Sequence, residues 1–96
     1  MSNPNHPDAF IDAAAAYFDQ LVPLASDDEL FASGYLRGHF DLAVGTLQVE
    51  GEAFAAADVV AKVQHSLQHA IAHGELTVED QQHVSKIWLQ LQQLAA

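Results

Sequence analysis

Apolar residues recur at intervals of three and four along four segments of this 96-residue chain, and this spacing is the strongest constraint on its fold. In the first segment, for example, Phe10, Ala14 and Phe18 would lie on one side of a helix. Strand-like alternation of apolar and polar residues does not stand out anywhere, nor does an internal repeat. The sequence therefore predicts an all-α fold.

Capping residues and helix breakers divide the chain into helices. The expected helices cover about 8–22, 26–49, 52–73 and 77–94. The connections between them are only a few residues long, which makes sequential helices antiparallel. We therefore predict a four-helix antiparallel up-down bundle, or a close variant, formed by a single domain at 8–96. Residues 1–7, which are polar and contain two prolines, are expected to form a disordered N-terminal tail.

The clearest helix start is the capping box that opens helix 2 at Ser26. The Ser26 hydroxyl can accept a hydrogen bond from the Glu29 N–H, and the Glu29 carboxylate can accept one from the Ser26 N–H. Thr77 is the expected cap of helix 4. Gly51 and Gly74 are the expected stops of helices 2 and 3.

The apolar spacing also predicts which face of each later helix is buried. For helix 3 the expected buried residues are Ala53, Ala56, Ala57, Val60, Val63, Leu67 and Ile71. For helix 4 they are Val84, Ile87, Trp88, Leu91 and Leu94. Trp88 is thus expected in or near the core.

Helix 2 contains three glycines, each of which costs about 1 kcal/mol relative to alanine inside a helix. Gly34, Gly38 and Gly45 project within roughly 40° of one another, and the rest of the helix is apolar almost all round. A helix of that kind is expected at the centre of a bundle. We favour a packing seam, in which another helix lies against the glycines and Gly38→Leu lowers the melting temperature. The alternative is an exposed groove for a partner or ligand.

The formal net charge is −10, with thirteen acidic residues against Arg37, Lys62 and Lys86. Such a charge repels phosphate backbones and anionic lipid, so neither nucleic acid nor a membrane surface is an expected partner. Many of the acids stand near predicted helix starts, where the helix dipole stabilises them. We therefore prefer helix stability and solubility to nucleic-acid mimicry as the reason for the acidity.

The chain has no cysteine, which excludes disulfides and thiolate chemistry. It opens without a recognisable secretory signal, and no window approaches eighteen consecutive apolar residues. A cytoplasmic location is the expectation.

The candidate binding residues are Tyr35, Arg37 and Asp41 on helix 2. Arg37 and Tyr35 could clamp an anionic ligand or a carboxylate of a partner, because a guanidinium presents a planar fork of donors. The competing and preferred interpretation is an ordinary helical ion pair between Arg37 and Asp41, four residues apart.

Three histidines of helix 3, His65, His69 and His73, are spaced four residues apart. Two such histidines can share a zinc or nickel ion, but a tight site needs further ligands from other helices. We favour solvated histidines and predict neither a metal site nor a cofactor.

The segment that opens helix 2, Ala25 to His39 (ASDDELFASGYLRGH), closely resembles the YfcL family of small bacterial proteins. The Gly74-Glu75-Leu76 turn and Trp88 of the last helix are similar to that family too. The resemblance implies a small cytoplasmic helical protein. It supplies no catalytic or binding residues to transfer to this chain.

No catalytic motif is present, and the glycines lie inside a helix and not in a phosphate-binding loop. We therefore predict a small, acidic, non-enzymatic interaction module that binds a protein partner, which could be a second copy of itself. The alternative is a small-ligand or metal-binding helical protein. An exposed apolar patch would favour the first hypothesis, and a concave pocket with convergent polar groups the second.

Overall fold

The computed structural model describes residues 7–95, and most of them lie in four α-helices. The helices are α1 (Pro7–Leu21), α2 (Asp27–Glu50), α3 (Ala56–Ala72) and α4 (Val78–Gln93). Together with a short 3-10 turn at Val22–Leu24 they make the described chain 84% helical, without a strand in it. The prediction of an all-α four-helix bundle is confirmed.

The expected N-terminal tail falls almost wholly on residues 1–6, which lie outside the described residues. Pro7, the last residue assigned to that tail, is instead the first residue of α1. Proline suits this position because its fixed φ is helical and the N–H that it lacks would have no partner within the helix.

The α2 helix is the hub of the bundle, because it packs against each of the other three helices. Its inner face consists of the buried residues Ala32, Ser33, Leu36, Phe40, Ala43 and Val44. The α3 helix runs antiparallel to α2, since Glu50 contacts Lys62 while His39 contacts Ser66. The predicted central position of helix 2 is confirmed, and α4 packs chiefly on α2 and less on α3.

Aromatic rings join α1 to α2 in the core. The ring of Phe40 meets those of Phe10 and Phe18 edge-on, with centroids 5.5 and 6.2 Å away. This is the geometry that aromatic quadrupoles favour. At the other side of the bundle Trp88 is buried, and its Nε1–H donates to Oε1 of Gln64 on α3 at 2.6 Å. The predicted core position of Trp88 is thus confirmed.

The predicted caps form. The Glu29 N–H donates to the Ser26 hydroxyl at 3.2 Å, and the Ser26 N–H donates to the Glu29 carboxylate at 2.9 Å. Thr77 caps α4 in the same reciprocal way with Asp80. Gly51 ends α2 with φ at 78°, a left-handed conformation that side chains with a Cβ rarely adopt.

The predicted extent and buried face of helix 3 were partly wrong. The helix begins at Ala56 and not at residue 52, because the Asp58 carboxylate accepts from the N–H of Ala55 at 2.8 Å and so fixes the first turn there. Ala53 and Ala57 are exposed. The buried residues of α3 are Ala56, Val59, Val63, Leu67 and Ala70. The face is therefore rotated from the predicted one, away from Val60 and Ile71.

The glycine packing seam predicted on helix 2 was also wrong. A Cβ atom added to Gly34, Gly38 or Gly45 would have no atom of another element within 4 Å. Gly34 and Gly38 are exposed to solvent. The reason is the position of the inner face: Leu36 and Phe40 project roughly 120–160° away from Gly34 around the helix, and the neighbouring helices pack there. The glycines form an open face.

This geometry predicts that Gly34→Ala and Gly38→Ala each raise the free energy of unfolding by about 0.5–1 kcal/mol. Alanine fits the open space and has the better helix propensity. Urea denaturation followed by circular dichroism measures the effect. Gly51→Ala is the matched control and should lower stability, because its φ of 78° strains a residue with a Cβ. A loss of stability in both helix variants would mean that another part of the chain covers the glycines.

The exposed face of α2 as a candidate interaction site

The candidate site is the side of α2 that the other three helices of the described chain leave uncovered, termed here the outer face. It is formed by Phe31, Gly34, Gly38, Leu42, Gly45 and Val49. These residues follow one another at intervals of three and four, so they form one continuous stripe along the helix. The large members are strongly exposed: Phe31 by 52%, Leu42 by 67% and Val49 by 88%.

The outer face alternates between bulky apolar side chains and bare backbone. A shallow groove of about 420 Å³ runs along its C-terminal half, lined by Leu42, Gly45, Thr46 and Val49, with Asp41 at its edge. The glycines let a second surface approach the helix backbone closely. The exposed apolar side chains would then be buried against that surface. This combination suits a packing partner better than it suits solvent.

The helix forms here in spite of its glycines because other interactions stabilise it. The inner face is buried against three helices, the capping box fixes the start at Ser26, and Gly51 terminates the helix in a left-handed conformation. The three glycines of the outer face nevertheless lower helix stability by about 1 kcal/mol each relative to alanine. No packing within the described chain compensates for that loss, and uncompensated local costs tend to mark functional positions.

Tyr35 lies beside the outer face and faces the turn between α3 and α4. Its hydroxyl donates to Oε1 of Glu75 at 2.8 Å, and its ring lies between those of Phe31 and His39, with centroids 6.1 and 4.8 Å away. Partial burial, the hydrogen bond to Glu75 and the charge of Glu75 raise the pKa of Tyr35 to about 12. The neutral phenol of Tyr35 thus links α2 to the turn between α3 and α4.

Arg37 points to a different neighbour, α1. Its Nη1 lies 3.1 Å from Oδ1 of Asp19, and its guanidinium carbon lies 5.4 Å from the centroid of the Phe18 ring. The predicted ion pair with Asp41 was therefore wrong: α1 offers a carboxylate and an aromatic face together, and a guanidinium favours both. Asp41 is exposed at the edge of the groove.

The structure does not assemble the three predicted binding residues into one clamp. Tyr35 contacts the α3–α4 turn, Arg37 contacts α1, and Asp41 alone lines the outer-face groove. Sequence reasoning missed Leu42 and Val49 as surface residues, because an all-round apolar helix gave no indication of which side faces solvent. The neighbouring glycines were the one available signal.

The histidines of α3 are all exposed. The rings of His69 and His73 stack with centroids 4.1 Å apart, and Nδ1 of His73 lies 2.8 Å from the carbonyl oxygen of His69. Within residues 7–95, no group of three or more histidine, aspartate or glutamate side chains is arranged to hold a metal ion. In the same part of the chain, no helix is long and apolar enough to cross a membrane.

Fold and site together define a small all-α protein, a four-helix bundle whose central helix keeps one face uncovered. Comparison with known proteins identifies the family to which the chain belongs. The family model described as YfcL protein matches residues 8–93. A protein of Escherichia coli (strain K12) with the name "Uncharacterized protein YfcL" is 48% identical over 81 residues, which is 84% of this chain and 87% of that protein. The chain belongs to the YfcL family.

The family membership confirms the resemblance inferred from residues 25–39. No solved structure matches the chain. The site must therefore be interpreted from its own geometry.

The Tyr35–Glu75 contact predicts a specific alkaline pH dependence. The neutral phenol is favoured in the folded state, so its contribution to stability is complete below about pH 10 and is lost as the pH rises through about 12. Ultraviolet titration of a Tyr17→Phe variant, which leaves Tyr35 as the one tyrosine, would measure the pKa. Glu75→Gln in that background should lower it. An unchanged pKa would contradict the assigned contact.

Proposed function

We propose that this protein is a non-enzymatic interaction module that binds a protein partner through the outer face of α2. The observation that carries the proposal is the open space over Gly34, Gly38 and Gly45, next to the exposed side chains of Leu42 and Val49. A helix or an extended segment of a partner could lie along this stripe and bury the apolar side chains against itself.

The energetics of this face support binding more than internal stability. Burial of apolar surface contributes about 25 cal/mol per Å², and Leu42 and Val49 are each more than half exposed in the free protein. Glycine lets the partner's backbone come close, which adds dispersion contacts along the stripe. The helix is already formed and capped, so little conformational entropy is lost when the partner binds.

Among residues 7–95, the contact between His39 and Ser66 most resembles a nucleophile–base pair, with Nδ1 and Oγ 2.5 Å apart. Ser66 lies inside α3, where the surrounding backbone N–H groups donate within the helix and are not available to stabilise an oxyanion. We therefore assign this contact to holding α2 against α3. It gives an enzymatic function no support.

We place the interaction in the cytoplasm. The absence of cysteine fits a reducing compartment, and the net charge of −10 keeps a protein with an exposed apolar stripe in solution. The same charge opposes the approach of a second copy, so a different protein is the favoured partner and self-association the alternative.

The test compares partner capture with stability in a Gly38→Leu variant. The leucine would stand in open space and raise helix propensity, so the melting temperature should hold or increase. It would also block close approach to the backbone, so a partner that co-purifies with the parent protein should be lost. Affinity purification from the source cells, with mass spectrometry and a thermal melt of each variant, measures both effects.

Gln68→Leu is the matched control, because it adds the same side chain to an exposed position on α3. It should retain the partner. Equal capture by the parent and both variants would contradict the proposal, as would a lower melting temperature for Gly38→Leu. Analytical ultracentrifugation of the pure protein separates a second copy from a different protein as the partner.

A further inference from the structure

A second feature is an open cleft of about 450 Å³ at the corner where α2 turns into α3, which shares only Glu50 with the lining of the outer-face groove. It is termed here the corner cavity. Its lining includes Leu47, Glu50, Glu52, Phe54, Lys62 and His65. Its volume lies in the range of small-molecule sites, and it combines an apolar floor with charged groups at its edge.

The floor of the corner cavity is fixed by the core. Leu47 of α2 and Phe54 of the connecting segment are both partly buried and pack against the main apolar cluster. Their outward surfaces, with Ala61 of α3 beside them, form a wall suited to methylene groups. A ligand with an aliphatic stem would bury that stem here.

The charge of the corner cavity favours a cation. Glu50 and Glu52 line it, and the carbonyl groups at the C-terminal end of α2 add partial negative charge nearby. Nζ of Lys62 lies 3.8 Å from Oε1 of Glu50, well beyond the distance of about 2.8 Å of a strong charged hydrogen bond. The Glu50 carboxylate therefore retains capacity for a closer cationic donor.

The form of the cation follows from the same residues. A divalent metal ion would need several convergent ligands, and the side chains described here offer no such group. Asp58, which also lines the cavity, is already engaged as acceptor for the N–H of Ala55. An ammonium on an alkyl stem needs only one or two carboxylates and an apolar wall. Lys62 itself already makes a contact of this kind with Glu50.

We propose that the corner cavity binds a primary alkylammonium group, with the ammonium at Glu50 and Glu52 and the alkyl stem on Leu47 and Phe54. A lysine side chain of another protein and a free linear diamine both present this chemistry. The proposal does not depend on the outer face of α2 as a docking surface. Either site could be disproved while the other stands.

The test is an amide chemical-shift titration of the ¹⁵N-labelled protein at physiological ionic strength. The probes are 1,5-diaminopentane, a capped lysine (Nα-acetyl-lysine methylamide) and 1-pentanol as the uncharged control. The two amines should shift a contiguous set of amides around residues 47–65, and the alcohol should not. The tighter of the two amines identifies the source, peptide side chain or free diamine, that the cavity prefers.

Four variants make the result specific. The double change Glu50→Gln with Glu52→Gln should weaken amine binding about tenfold or more, since it removes both charged acceptors. Ala61→Phe should block binding by filling the cavity while the charge is kept. Lys62→Gln should tighten binding, because it removes the competing internal ammonium. Glu79→Gln, in the first turn of α4, removes one exposed acid that does not line the cavity and should change nothing.

Two outcomes would overturn the proposal. One is a set of amine-induced shifts spread over the acidic surface and reduced as much by Glu79→Gln as by the double change. The other is unaltered amine binding in Ala61→Phe. Circular dichroism melts of each variant establish that it is folded, and the predicted gain of affinity in Lys62→Gln cannot result from unfolding.

Discussion

The fold of this protein depends on the burial of one side of α2. Leu36 is fully buried and Phe40 nearly so, and this side is the one against which α1, α3 and α4 all pack. Burying a side chain of this size contributes about 1.5–3 kcal/mol. The edge-on contacts of Phe40 with Phe10 and Phe18 also favour a particular orientation of the three rings, which burial alone would not. Loss of this face would remove the surface that the other three helices share.

Because the packing contacts of α2 are concentrated on one side, the glycines on its other side are left uncovered by the remaining described helices. The exposed glycines are tolerated because the capping box at Ser26, the inner face and the left-handed Gly51 together maintain the helix. An outer face that alternates glycine with exposed Leu42 and Val49 is then available for a partner. Under the proposed function, structural and binding roles are divided between two sides of a single helix.

Much of the fold could be predicted from the sequence, because the signals concerned are local. The Ser26–Glu29 box, the Thr77 cap and the glycine stops act within one turn of chain, and each formed as expected. The buried face of α3 was harder to predict from the sequence. Val59 and Val60 are adjacent and both apolar, so a rotation of the helix by one residue leaves the pattern almost unchanged. Only contacts with the neighbouring helices decide between them.

The candidate sites were harder to predict for a related reason. In a helix that is apolar nearly all round, periodicity does not say which side faces the core, so the glycines of α2 were assigned to the wrong surroundings. The ion pair of Arg37 depends on where α1 places Asp19, eighteen positions earlier in the chain. The lining of the corner cavity falls within residues 47–65, but the cavity forms only through the way α2, the connecting segment and α3 pack together.

Whether the glycine side of α2 is open in the folded protein can be measured by solvent paramagnetic relaxation enhancement with a soluble gadolinium chelate. We expect strong enhancement for the α-protons of Gly34 and Gly38 and little for those of Leu36 and Phe40, in dilute and concentrated samples of the pure protein. Weak enhancement at the glycines in a dilute sample would mean that the protein's own chain covers that side. The outer face would then not be available to a partner.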